Sequence, residues 1–263
     1  MDGGRLMRTV MALSGGMDST SLLLHLLTNN CTVTCISFNY GQKHVIEIEK
    51  AKENIRYLNE ANYRIEHIII DISDCMNSLY SALTDTEVDV PEGHYEEEQM
   101  KKTVVPNRNA IFSSILYAHA LSIATKELID VQIALGVHSG DHAIYPDCRP
   151  QFYEAIHHAF SIGNWDSEKV SLFLPYLEEN KTTILQDALQ SCDNLNLDFD
   201  QIMRHTHTSY NPDALGRSSG RSGADVERIL AFHEINRQDP IDYVSPWNDV
   251  LEYALSKQRE QEM

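Results

Sequence analysis

Residues 14 to 20 read Ser-Gly-Gly-Met-Asp-Ser-Thr and lie between two apolar runs, Val10 to Leu13 and Leu22 to Leu27. An ordinary strand-to-helix turn needs one glycine and one cap. The surplus of small and polar residues here suits a chain that turns its backbone N–H groups outward at the start of a helix, whose dipole attracts anions, so the predicted ligand is a phosphate. A Walker loop carries a lysine before its Ser/Thr, and SGGMDSTS has none, so the phosphate chemistry must be of another kind. Two more stretches carry groups able to do chemistry. Arg108 in VPNRNAIF offers a planar guanidinium fork for a carboxylate or phosphate, and YPDCRP places Tyr145, Asp147, Cys148 and Arg149 side by side.

The elements that must hold these residues alternate in type. Short β-branched runs (TVMAL, TVTCISF, YRIEHIIID, DVQIALGV, VSLFLPY) are each followed by a helix-like stretch: Ser19 to Leu27, Val45 to Leu58, Asn109 to Thr125, one from Pro150 and one from Thr182. The order βαβαβαβαβα predicts an α/β, doubly wound, mostly parallel sheet covered on both faces, with ligands beyond the carboxyl ends of its strands. Every motif above falls in such a strand-end loop. Residues 72–105, with Pro91 and the acidic run 96–98, break the rhythm and are expected to act as a flap. The chain divides into a nucleotide-binding domain over 1–197 and a C-terminal extension over 198–263, whose helix starts at Ala224 and whose charged tail is expected to fray.

Composition limits the function classes. Of 263 residues 42% are hydrophobic, enough for a normal core, and no run approaches the roughly 18 apolar residues that a membrane span needs. With 21 basic against 39 acidic residues the net charge is −18, which disfavours nucleic acid while leaving room for a small anion in a local positive pocket. No signal peptide is apparent in MDGGRLMRTV, and the five cysteines form no disulfide framework; the chain is expected in the cytoplasm, with its cysteines as buried free thiols.

The Ser-Gly-Gly-x-Asp-Ser-Thr turn resembles the pyrophosphate loop (PP-loop) of the ATP-pyrophosphatases, which cleave ATP between its α and β phosphates. Within that superfamily FNYGQKHVIEIEKAK (Phe38 to Lys52), SALTD (Ser81 to Asp85), VPNRNAIF (Val105 to Phe112) and GVHSGDHAIYPDCRPQFYEAI (Gly136 to Ile156) resemble the QueC family, the 7-cyano-7-deazaguanine synthases, in order and spacing up to about residue 230. The resemblance implies an ATP-dependent carbon–nitrogen ligase that adenylates the carboxylate of 7-carboxy-7-deazaguanine and passes the acyl group to ammonia. Leu13, Ser14, Gly15, Gly16, Asp18, Ser19, Thr20 and Arg108 would then bind ATP. Asp18 would hold Mg²⁺ or else cap the helix. Lys181 would neutralise the leaving group or else lie solvated at the surface. Asp147, Tyr145, Arg149, Gln42 and Asn109 would bind the substrate: Asp147 the paired N–H donors of the guanine-like edge, Tyr145 by stacking, and Arg149 the substrate carboxylate, unless it pairs with Asp147 instead. Cys148 reads as structural.

The resemblance fails at one place. The family holds zinc with four cysteines, where this chain has Ser209, Ser219, Ser222 and Asp225, so zinc is expected to be absent and the segment to be held by hydrogen bonds or by a partner. A divergent ligase that gives the deazaguanine to a protein amine, as in a phage-defence system, and a non-enzymatic ATP-sensing subunit are the alternative readings. The resemblance leaves room for a homodimer.

Overall fold

The structure is a computed structural model that describes residues 6–42, 46–79, 81, 104–138, 145–209 and 212–261. Five parallel strands form one sheet in the order β3-β2-β1-β4-β5: β1 (Arg8–Ala12), β2 (Thr32–Asn39), β3 (Glu66–Asp71), β4 (Val131–Ala134) and β5 (Val170–Phe173). Around them run α1 (Met17–Thr28), α2 (Ile46–Glu60), α3 (Ser73–Met76), α4 (Arg108–Glu127), α5 (Pro150–Gly163), α6 (Lys181–Leu195), α7 (Phe199–Arg204), α8 (Gly223–Glu234) and α9 (Trp247–Gln261). Each strand predicted from the sequence is present, and the predicted helix starts agree with those observed to within a residue or two.

The period of two along the strands sorts the core into two layers. On β1 and β2, Met11, Val33 and Cys35 point to one face, where they pack with Leu22, Leu23, Ala51, Leu58, Ile184, Leu185 and Phe232 from α1, α2, α6 and α8. Val10, Ile36 and Phe38 point to the other, against Leu116, Tyr117, Ala120 and Tyr153 of α4 and α5. Strands buried on both faces must be apolar at nearly every position, which is why the runs TVMAL and TVTCISF lack alternation.

The position of β1 decides where a ligand can bind. Its residues pair on one side with β2 (Arg8 with Thr32) and on the other with β4 (Arg8 with Val131). The connection from β1 leaves toward one side and the chain later returns on the other, which opens a crevice between the loops that follow β1 and β4. The Ser14 loop sits in that crevice.

Three expectations are corrected. The tail expected to fray forms α9, a 15-residue helix whose Val250 and Ala254 pack with Val226 and Ile229 of α8. The thiols are not uniformly buried: Cys35, Cys148 and Cys192 are, whereas Cys31 is partly exposed and Cys75 exposed. Lys181 does not precede its helix; it is the first residue of α6. Most of the flap predicted over 72–105 lies outside the described residues, as does the end of the SALTD motif.

Candidate active site

The turn after β1 is shaped by contacts that exclude side chains. Gly15 has φ +89°, and a Cβ there would come 2.0 Å from the Glu47 carbonyl of α2, so only glycine fits. On the other side the backbone N–H of His207 donates to the Gly15 carbonyl at 2.9 Å. Within the turn Ser14 and Ser19 share a hydroxyl hydrogen bond of 2.9 Å, and Gly16 N–H donates to Ser14 Oγ. The helix that follows is left open. Asn180 and Ser222 cap α6 and α8 with full capping boxes, but Gly16, at the cap position of α1, supplies no side-chain bond. An uncapped N-terminus facing a crevice leaves amide donors for an external acceptor, and phosphate oxygens are the natural ones.

Beside these amides lies a charged cluster. Lys181 Nζ donates to Asp18 Oδ2 at 2.9 Å, stands 3.1 Å from His138 Nε2 and lies 3.8 Å from Glu227 Oε2. At 8% exposure this lysine is not the solvated surface residue of the alternative reading. Burial pushes the Asp18 carboxyl upward, but Lys181 and then His138 outweigh it and hold it below the usual carboxylate range. Asp18 Oδ1 is buried with no hydrogen-bond partner. An ionised carboxylate with one oxygen spent on a lysine and the other free suits a cation ligand better than a helix cap, so the donor fits Mg²⁺.

The crevice also has an aromatic wall. Phe38 stacks on Phe112 with ring centroids 4.1 Å apart, and Tyr40 leans on the same ring. The Arg108 guanidinium lies 6.0 Å from the ring centres of both Tyr40 and Tyr145. Arg108 opens α4 behind Asn107, whose φ of +59° is the left-handed conformation that glycine adopts freely and asparagine tolerates best among other residues. Asn107 therefore keeps the turn that presents Arg108.

The YPDCRP loop docks on the same helix start. Asn109 donates its backbone N–H to Asp147 Oδ2 and its side-chain amide to the Asp147 carbonyl and Cys148 Sγ, all at 3.4 Å. Asp147 Oδ1 is buried without a partner, and Tyr145 and Cys148 are buried against Ala224. Arg149 is exposed at the cap of α5.

One cavity gathers these parts. Of the residues predicted from the sequence, Leu13, Ser14, Gly16, Asp18, Ser19, Gln42, Arg108, Asn109 and Lys181 form its wall, with Cys148. Gly15, Thr20, Tyr145, Asp147 and Arg149 are not on that wall; Thr20 is wholly buried inside α1. Gln42 lines the cavity with its amide already engaged, accepting from Tyr40 N–H and donating to the Phe38 carbonyl, so it shapes the turn. Sequence reasoning missed Phe38 and Phe112, at the ends of motifs read for other residues; His138, two positions into GVHSGD; and Glu47 and Glu227. Burial raises the Glu47 carboxyl to about 7 against the opposing pull of Arg108. No local pattern marks Glu47 or Glu227, because only the packing of α2 and α8 brings them to the site.

The C-terminal segment has its own polar centre. Ser209 and Ser219 donate hydroxyl hydrogen bonds to Asp225 Oδ2 at 3.0 and 3.1 Å, Ser222 N–H reaches the same oxygen at 3.3 Å, and Ser218 donates to Oδ1. Next to it the fully buried Arg228 forms a two-pronged pair with Asp239 at 2.6 and 2.9 Å and also binds Thr206 and Thr208.

Fold and loop together define an ATP-utilising α/β enzyme of the PP-loop class. The chain belongs to the QueC family: residues 8–236 match the family model described as queuosine biosynthesis protein QueC. It is 42% identical over 238 residues to 7-cyano-7-deazaguanine synthase 1 of Colwellia psychrerythraea, a match covering 90% of this chain and 98% of that one. It is 44% identical over 240 residues to the 7-cyano-7-deazaguanine synthase of Hahella chejuensis, covering 90% and 94%. An NMN synthetase from Francisella tularensis, with a TM-score of 0.41 and 13% identity over 97% of this chain and 86% of that one, is too distant to add to the assignment. Among the described residues no helix is long and apolar enough to cross a membrane.

Proposed function

We propose that the enzyme activates the carboxylate of 7-carboxy-7-deazaguanine with ATP and converts it, with ammonia, to the amide and then to 7-cyano-7-deazaguanine. The observation that carries this reading is one cavity lined both by the open start of α1 with Lys181 and Arg108 and by Asn109 and Cys148, where the YPDCRP loop docks on α4. A carboxylate is a poor electrophile. Attack of its oxygen on the α-phosphorus expels pyrophosphate and leaves an acyl-adenylate, which ammonia opens with loss of AMP. A second ATP activates the amide oxygen in the same way, and its departure as AMP leaves the nitrile.

The protein contributes position and charge. The amides of α1 and the Ser14 and Ser19 hydroxyls hold phosphate oxygens, Lys181 offsets charge on the departing pyrophosphate, and Arg108 bridges phosphate and carboxylate. Asp18 would hold Mg²⁺, which when bound neutralises the phosphates. Asp147 stands behind the stretch of wall formed by Asn109 and Cys148, and its unpartnered Oδ1 is the acceptor this reading assigns to the N–H donors of the base, which must reach past that wall to meet it.

Zinc has no place in this reading. Hydroxyls do not ionise near neutral pH, and the three serines and Asp225 already satisfy one another. The C-terminal segment is held by this hydrogen-bonded centre without metal.

The test is incubation with Mg-ATP, 7-carboxy-7-deazaguanine and ammonium, with products identified by mass. Nitrile, AMP and pyrophosphate are expected. Amide as the end product would limit the reading to its first half, and ADP with phosphate would overturn it.

A further inference from the structure

Glu227 has no part in the reaction just described, yet it reaches into the charged cluster from the far end of the chain. Its carboxylate, on α8, lies 3.8 Å from Lys181 Nζ, and Asp18 approaches the same ammonium from α1 at 2.9 Å. The exposures of the two groups are low, 9% for the lysine side chain and 14% for Glu227. A lysine side chain has four rotors, and one partner does not fix it. With Asp18 alone, the ammonium would be drawn toward the unpartnered Oδ1 and would straddle both oxygens of that carboxylate. With Glu227 on its other side and His138 Nε2 at 3.1 Å, it stays at Oδ2, at the cavity wall, and Oδ1 stays open.

The setting of Glu227 is built as firmly as that of the loop it serves. Two residues before it Asp225 is gripped by Ser209, Ser218 and Ser219; one residue after it Arg228 is locked to Asp239. The capping box of Ser222 fixes where α8 begins. Residues 225 to 228 thus form a single rigid turn with one side chain of the turn directed at Lys181.

We propose that Glu227 is a positioning residue for Lys181, so that the C-terminal segment completes the polyphosphate half of the ATP site. This rests on the reading of the cavity as an ATP site and is independent of which acyl substrate is used. Two opposing effects follow from removing its charge: less repulsion of phosphate, and loss of the ammonium's placement. The direct hydrogen bond between Lys181 and Asp18 makes the second dominate, because the released lysine has a carboxylate oxygen waiting for it.

The experiment measures equilibrium binding of Mg-ATP and of AMP, without acyl substrate, to the wild-type chain and to Glu227→Gln, Lys181→Met and the double variant. Glu227→Gln should weaken Mg-ATP about fivefold to tenfold, the range of a partly exposed charge pair, and leave AMP within about twofold. In the Lys181→Met background the same change should have no further effect on Mg-ATP. Glu227→Asp, which keeps the charge, should recover part of the affinity. Unchanged or tighter Mg-ATP binding by Glu227→Gln overturns the proposal, as does a parallel loss of AMP, which marks general damage to the fold. If the wild type binds Mg-ATP but turns over no 7-carboxy-7-deazaguanine, the substrate assignment fails while this proposal stands or falls on the Gln variant. If it binds no Mg-ATP, both fail.

Discussion

Asp225→Asn is the sharpest probe of the C-terminal segment. The carboxylate is fully buried and accepts from the hydroxyls of Ser209, Ser218 and Ser219 and from the backbone N–H of Ser222. Asparagine keeps the size but offers one acceptor and turns an NH₂ group toward donors. The hydroxyls can rotate to other acceptors; the Ser222 N–H cannot. Counting that amide and one hydroxyl as stranded gives a loss of about 3 to 5 kcal/mol. The amide recovers part of this, because it costs less to bury than a carboxylate, leaving about 2 to 4 kcal/mol. At roughly 2 to 4 °C per kcal/mol for a chain of this length, the thermal midpoint should fall by about 4 to 16 °C. The assay is thermal unfolding of both proteins with and without a strong zinc chelator, together with elemental analysis. The wild type should be indifferent to the chelator. A variant within about one degree of wild type, or a wild type that carries one zinc per chain and is destabilised by the chelator, would refute the account of Asp225 as the centre.

Asp147→Asn should weaken the deazaguanine by roughly 2 to 4 kcal/mol and spare ATP, since it sets a donor against the donors of the base edge; equal loss of both ligands in a binding assay would make Asp147 structural. Gly15→Ala should abolish Mg-ATP binding, because its Cβ would sit 2.0 Å from the Glu47 carbonyl, and calorimetry finding normal affinity would refute the close approach. Glu47→Gln tests the raised carboxyl. Its folded value of about 7 lies above the ordinary glutamate value of 4.5, so the folded chain binds the extra proton and wild-type stability falls as pH rises through that window. The variant should therefore be more stable than wild type above pH 7, by about 3 kcal/mol, with the gap closing in acid; a gap constant with pH would refute it.

The sheet and the phosphate loop could be read from the sequence because their causes are local. A strand buried on both faces needs a continuous apolar run, and the turn after it needs glycine where the chain touches α2. Lys181, too, was legible as a residue, but its choice between surface and site depended on α1 and α6 packing together. Glu47 and Glu227 left no signal, since a glutamate on a helix has the same local pattern whether it faces water or a cavity. The serines at 209, 219 and 222 announced only that thiols were missing. That they would converge on Asp225 is a property of how α8 meets the loop before it. The error over the tail had a similar origin: LEYALSKQREQ looks too charged to hold, and α9 is stable because its apolar stripe finds α8.

The placement of β1 at the middle of the sheet bears on how this enzyme comes into being during synthesis. The strand is finished by residue 12, yet one of its two neighbours, β4, begins only at Val131, so the phosphate loop must wait on the ribosome with one flank bare while more than a hundred further residues are made. Its second brace, the His207 amide, and then α8 follow later still. A chain released early would carry most of the sheet but neither the His207 amide that braces Gly15 nor the α8 turn that brings Glu227 to Lys181.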